Sequence, residues 1–265
     1  YPALFDDPKR GEEARRVFDD AQRLLSEIVD RRLLRADGVI GLYPAASDGD
    51  DIVLYADESR ERERMRLPQL RNQQADRERN LSLADFVAPL GSGVKDYVGA
   101  FAVTAGLGLE ELAGRYRSEG DDYRAIMAKL LADRLTEAFA EALHRYVRVT
   151  LWGYEREGQW SVGDLLAEKY QGIRPAFGYP SAPDHSLKAD VFALMDVGTV
   201  TGMTMTESYM IVPGEAACGL MLGHPEARNF SVGRIDSEQL ASYAARRGTD
   251  PEKMRVLIPQ HLIEM

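Results

Sequence analysis

The stretch Thr206–Ile235, TESYMIVPGEAACGLMLGHPEARNFSVGRI, carries three strand-length runs, TESYMIVPG, AACGLMLGHP and NFSVGRI. Pro-Gly and His-Pro turns separate them, and short apolar runs punctuated in this way predict an antiparallel meander. Helical signals lie on both sides. Downstream, DSEQLASYAARRG places Asp236 and Gln239 at capping-box spacing and Gly248 as a C-terminal stop. TDPEKM then restarts a helix with Asp250 as N-cap and Pro251 at its first position. Upstream, LKADVFALMDV from Leu187 is helical.

Further back, a helix begins near Asp121 or Asp122, either of which suits an N-cap. Met127, Leu131, Leu135, Ala138, Phe139, Ala142 and Leu143 form its apolar stripe. A shorter helix ends near Lys169. Toward the N-terminus, a helix through Ala14–Ile28 precedes two strand-like runs, GVIGLYP from Gly38 and DIVLYAD from Asp51, with AASDGDD as a turn. Glu58–Arg79 is densely charged and reads as a solvated helix or loop. GAFAVTAG from Gly99 reads as a buried strand. Helices around an antiparallel sheet define the α+β class, expected over residues 1–265 as a single domain, a twisted antiparallel sheet with flanking helices.

Composition narrows the function. The chain has 265 residues and a formal net charge of -10, from 33 basic and 43 acidic side chains, which argues against a broad nucleic-acid surface. A single cysteine, Cys218, excludes an internal disulfide and a cysteine-built metal site. The four histidines are scattered, so no protein-held metal is expected. The longest apolar run, Val98–Leu109, is too short and Gly-rich to span a bilayer. No membrane attachment is expected, and the cysteine usage suits a reducing, cytoplasmic location. The first residue is Tyr1, not Met, and the expectation is a fragment of a longer protein. GLGLEE at Gly106 lacks the third glycine of a dinucleotide fingerprint, and neither a Walker lysine motif nor a G-x-S-x-G elbow occurs.

One stretch differs from ordinary loop: RPAFGYPSAPDH, Arg174–His185. Pro175, Pro180 and Pro183 fix φ at three points and bias their predecessors away from helix. Backbone groups in such a strap are not all paired in regular structure, so some can face a ligand. Gly178 lets a ligand or another backbone come close. Arg174 offers a planar fork suited to a carboxylate, and Tyr179 a flat face with a hydroxyl. The residues alone leave two readings open, a small-ligand cradle or a structural strap tied by a surface arginine.

RPAFGYP is similar to the Arg-x-x-x-Gly-Tyr signature of the S-adenosylmethionine-binding activation domain of cobalamin-dependent methionine synthase. LADFVAPLGSGVKDYVGAFAVTAGLGLEEL, DDYRAIMAKLLADRLTEAFAEALHRYVR, LWGY, EKYQGIRPAFGYPSAPDH, TGMTMTES and SVGRIDSEQLASYAARRG resemble that domain in the same order. The resemblance implies the C-terminal reactivation module of a modular methyltransferase of methionine biosynthesis. Such a module presents S-adenosylmethionine for reductive methylation of cob(II)alamin on the cobalamin-binding domain of the same polypeptide. Flavodoxin or a flavoprotein reductase supplies the electron. Cobalamin and zinc belong to other modules, and the fragment alone is expected to bind S-adenosylmethionine without being active. No residue of this chain is expected to act as a catalytic acid, base or nucleophile, because cobalamin is the nucleophile and the protein's task is positioning.

By the same resemblance the ligand-binding residues are Arg174, Pro175, Ala176, Gly178, Tyr179, Glu137, Glu168, Asn229 and Phe230. Helical spacing leaves Glu137 off the apolar stripe, free to face a cleft; a solvated or salt-bridged surface role is the alternative for both glutamates. Asn229 and Phe230 stand where the family has a pair of tyrosines, and Phe177 replaces a proline of the signature. An aspartate for the ligand's amino group is expected upstream of Tyr1. Asn229 and that missing aspartate favour an alternative, a docking module of the same fold that has lost ligand binding.

Overall fold

The computed structural model describes residues 2–74, 79–258 and 262. Helices α1 (Pro2–Phe5) and α2 (Gly11–Asp30) lead into strands β1 (Arg35–Asp48), β2 (Asp51–Tyr55) and β3 (Glu63–Pro68). After a short 3-10 turn (Leu83–Phe86) come β4 (Asp96–Leu107), α3 (Leu109–Ser118) and α4 (Asp122–Tyr146). A π turn (Val147–Leu151), α5 (Val162–Leu166), α6 (Leu187–Met195) and α7 (Val197–Thr201) follow. The hairpin β5 (Thr204–Met205) and β6 (Ile211–Val212), then β7 (Ala216–Met221), α8 (Ser237–Arg246) and α9 (Pro251–Leu257) complete the order.

The principal sheet is antiparallel in the order β3-β2-β1-β4-β7. Side chains alternate across it. Val98, Ala100 and Ala102 of β4, with Cys218 and Leu220 of β7, face the larger core, which α6 and α7 cover. Phe101 and Val103, with Met221, face Ala140 of α4 and Val147 of the π turn. The α+β class and the helix-flanked antiparallel sheet are as expected.

Several local expectations are corrected. The charged stretch from Glu58 contains β3, because Met65 and Leu67 alternate with Arg64 and Arg66 and pair opposite Leu54 and Ile52. Gln69, Leu70 and Asn72 beyond it are buried, while residues 75–78 of that stretch lie outside the described residues. AASDGDD is not all turn: β1 runs on to Asp48, and Gly49 at φ +60° makes the reversal. The three-run meander shrinks to one sheet strand, β7. TESYMIVPG only contributes to the small β5–β6 hairpin, and NFSVGRI is irregular, with its Val232 N–H donating 2.8 Å to the Pro180 carbonyl.

Helix α4 is capped by Asp121, whose carboxylate accepts from the Arg124 N–H at 2.9 Å. Its most buried side is a ridge of small residues, Ala125, Ala128, Ala132, Thr136 and Ala140, ending in His144. Of the expected stripe Met127 is buried, whereas Leu131, Leu135, Phe139 and Leu143 are only half-buried and Ala138 and Ala142 are exposed. Small side chains let the helix axis approach the sheet, and Thr136 Oγ1 ties the two by accepting from the Ala105 N–H at 3.0 Å.

The Gln239 side chain does not return to Asp236 as a capping box would. Asp236 caps α8 through the Gln239 N–H at 2.8 Å, while the Gln239 amide pairs both backbone groups of Arg71, at 2.7 and 3.0 Å. Asp250 caps α9, with Pro251 at its first position.

Candidate functional site

The segment from Ile173 to Phe177 runs antiparallel along the outer side of β7. Ile173 and Leu222 exchange two backbone hydrogen bonds of 2.9 Å; Leu220 N–H donates to the Pro175 carbonyl at 3.0 Å, and Phe177 N–H to the Cys218 carbonyl at 2.9 Å. Proline has no N–H to return to Leu220, so the pairing stays a set of bridges and not a continuous strand. Strand alternation nevertheless holds: Ile173 and Phe177 are buried in the larger core, while Arg174 and Ala176 turn to the α4 side. Phe177, the departure from the signature's proline, fills core volume.

A cleft of about 360 Å³ lies on that side, within the usual range of small-ligand sites. Its floor includes Phe101 of β4, Ala217 of β7 and Ala140 of α4. Of the nine residues named from the sequence, Glu137, Glu168, Arg174, Pro175, Ala176, Tyr179, Asn229 and Phe230 line it. Gly178 does not. It has φ +94° and points its missing side chain at His185, whose ring a β-carbon there would strike. Its glycine requirement is therefore a turn and a packing contact.

The strap's tail closes tightly. Gly178 N–H donates to the Ala182 carbonyl at 2.8 Å and Ala182 N–H to that of Tyr179 at 2.9 Å. This leaves Tyr179 56% exposed at the cleft. Burial, then the neighbouring Glu137 and Asp133 carboxylates, push its phenol pKa up. The Pro180–Val232 hydrogen bond pins the 229–232 segment to the strap, which brings Asn229 and Phe230 to the cleft. Phe230 packs edge-on against Phe86, with centroids 6.4 Å apart, so its ring is part of the wall. Glu168 follows α5 in the left-handed region, at φ +50°, a conformation uncommon for a residue with a side chain. Its Oε2 accepts 3.0 Å from Asn229 Nδ2, linking two walls of the cleft.

Among the described residues, Arg174 is the more buried of the two arginines that line the cleft, Arg228 being exposed. Its Nη1 donates to Glu141 Oε2 at 2.5 Å and to the Tyr170 hydroxyl at 2.7 Å. Its Nε and Nη2 have no hydrogen-bond partner among the described residues. Burial disfavours its charge, but Tyr170 and Glu141 outweigh that and hold its pKa above the ordinary guanidinium value.

Beneath it lies a network that the sequence reading did not single out. Glu141, His144 and Arg148 continue from Glu137 at steps of four, three and four residues, a polar stripe on one side of α4 and its π turn. That spacing was the available signal. Arg148 is 0% exposed, ion-paired to Glu155 at 2.7 Å and bonded to His144 Nδ1 at 2.7 Å. An arginine can only donate, so Nδ1 accepts and His144 is the neutral Nε2–H tautomer. Burial, then the charges of Arg148 and Arg174, hold its pKa well below the ordinary imidazole range. Arg228 is a further lining residue that was missed. Among the described residues no group of three or more His, Cys, Asp or Glu is placed to hold a metal ion, and no helix is long and apolar enough to cross a membrane.

Comparison with known proteins agrees with this architecture. Residues 1–248 match the family described as vitamin B12 dependent methionine synthase, activation domain. A crystal structure of the MetH reactivation domain bound to AdoHcy is 42% identical in sequence and superposes with a TM-score of 0.96, over 100% of this chain and 82% of that one. With its sheet, its strap and its cleft in place, the chain belongs to the family of vitamin B12 dependent methionine synthase activation domains.

Proposed function

We propose that the cleft binds S-adenosylmethionine and that this chain is the reactivation module of a cobalamin-dependent methionine synthase. The observation that carries the reading is the half-used guanidinium of Arg174 in the same cleft as the Glu137 and Glu168 carboxylates. A ligand with a carboxylate, an amine and a sulfonium needs one cation and nearby anions. Arg174 would take the carboxylate, the backbone from Pro175 to Tyr179 the adenosyl portion, and Glu137 and Glu168 the positive groups. The AdoHcy held by the related crystal structure supports the ligand class.

Bound there, S-adenosylmethionine supplies a methyl group for reductive methylation of cob(II)alamin on a cobalamin-binding module, with an electron from flavodoxin or a flavoprotein reductase. The residues of this chain supply orientation: the strap is fixed to β7, and the carboxylates face the cleft. The soluble, cytoplasmic setting of methionine biosynthesis belongs to the same reading.

The second reading, a docking module without ligand, is favoured by the Asn229–Glu168 hydrogen bond, which uses one of the two carboxylates. Isothermal titration of the chain with S-adenosylmethionine and with AdoHcy decides between them. Saturable binding that Arg174→Ala weakens by tenfold or more supports the ligand site, the scale of a lost charge-assisted hydrogen bond. Absence of heat with both ligands favours the docking module.

A further inference from the structure

Tyr170 is clamped on two sides. The Arg148 guanidinium lies 3.8 Å from its ring centroid, and the His144 ring meets it edge-on at 5.3 Å and 83°. Arg148 is itself fixed by Glu155 and His144, inside a π turn, a helix irregularity found often at functional sites. A fully buried, paired arginine is weak support for stability, because desolvation offsets most of its attraction. Fixing something else is the better account of it.

What it fixes is the phenol hydroxyl. That oxygen accepts from Arg174 Nη1 at 2.7 Å and donates to Glu141 Oε2 at 3.3 Å, while Glu141 accepts from the same Nη1 at 2.5 Å. Burial raises the Tyr170 pKa, so the phenol keeps the proton that this relay needs. Two acceptors thus hold one guanidinium nitrogen from below, and Nε and Nη2 are left to form a fork.

We infer that Tyr170 and Glu141 are positioning residues for Arg174, selecting ligands that carry a carboxylate by presenting the unused edge of its guanidinium to the cleft. The inference rests on the reading above in which Arg174 takes the ligand carboxylate. Glu141 stands behind the cleft, and Tyr170 reaches its lining; the role inferred for both acts through Arg174.

The test compares AdoHcy with methylthioadenosine, which keeps the nucleoside and thioether and lacks the carboxylate. Tyr170→Phe preserves the ring over Arg148 and removes only the hydroxyl. Its affinity for AdoHcy should fall about tenfold, the effect of one hydrogen bond to a charged group. Affinity for methylthioadenosine should stay within about twofold, the size of a near-neutral change. Glu141→Gln, checked for folding by thermal unfolding, should show the same selective loss.

Equal loss for both ligands, or none for either, would overturn the positioning role. Tighter AdoHcy binding in Glu141→Gln would also overturn it, since Glu141 would then be a competing counter-ion. A wild-type chain that binds neither ligand overturns the ligand reading and this inference together. Arg174→Ala retaining full preference for AdoHcy overturns the carboxylate assignment and this inference with it, while leaving the ligand site itself in place.

Discussion

Gly219 of β7 lies directly against the strap, and a β-carbon there would collide with the Pro175 carbonyl oxygen and crowd the Ala176 Cα. The contact is backbone on backbone, so no rotamer change relieves it. The β7 outer side and the cleft wall are therefore one unit.

Gly219→Ala should lift the strap from β7. Overpacking of this kind costs about 1–3 kcal/mol. Urea unfolding should show the loss, and AdoHcy affinity should fall with it. Unchanged affinity at reduced stability would separate strap position from ligand binding.

Asn229→Tyr should restore an aromatic face at the cleft and release Glu168 from its 3.0 Å bond with the Asn229 amide. Tighter binding of S-adenosylmethionine, by about threefold or more, is expected from one stacking contact. Calorimetry on the two chains in parallel checks it, and weaker binding would show that the Glu168–Asn229 link supports the site.

The pH dependence of stability should carry a His144 component. Its folded pKa lies below the unfolded value of about 6.5, so the unfolded chain binds more protons as pH falls. The contribution is complete above pH 6.5 and is lost as pH drops through that value toward the folded pKa. One proton gives at most about 1.4 kcal/mol per pH unit. Denaturation midpoints at pH 7.5 and 5.5 should converge in His144→Gln, whose side-chain oxygen can still accept from Arg148. An unaltered pH slope in that variant would place the acid sensitivity elsewhere.

Tyr243 of α8 is fully buried and donates to Asp184 Oδ2 at 2.8 Å, near the end of the strap. Tyr243→Phe leaves that buried carboxylate short of one donor, with Arg247 Nε 3.6 Å away as its remaining charged neighbour. A loss of about 2 kcal/mol is expected for a hydrogen bond to a charged group. Equilibrium unfolding measures it; a change under about 0.5 kcal/mol, the level of an ordinary surface substitution, would show that the Ser186 N–H, 2.8 Å from Oδ1, and the Arg247 charge suffice for Asp184.

Elements with a clean period were legible in the sequence. The Asp121 and Asp250 caps and the β4 core run follow from local patterns that tertiary contacts did not override. β3 was hidden because the outward half of its alternation is arginine, and density of charge obscured period. The 229–235 run was misread because its pattern suits a strand, whereas Val232 finds its partner in Pro180, which is remote in sequence. Proline spacing brought the strap to attention, and the resemblance supplied the rest of the cleft. Glu141, His144 and Arg148 are not legible as a group from the apolar stripe, and on the polar side of the helix Glu137 alone was drawn out by the resemblance.

The outermost row of peptide groups in an open sheet is a template on which another chain can add a strand. Here Cys218, Leu220 and Leu222 are already engaged by Phe177, Pro175 and Ile173. The segment that shapes the cleft is thus also the sheet's guard against strand-to-strand association. Substitutions that free it should give a chain that aggregates as well as one that binds poorly.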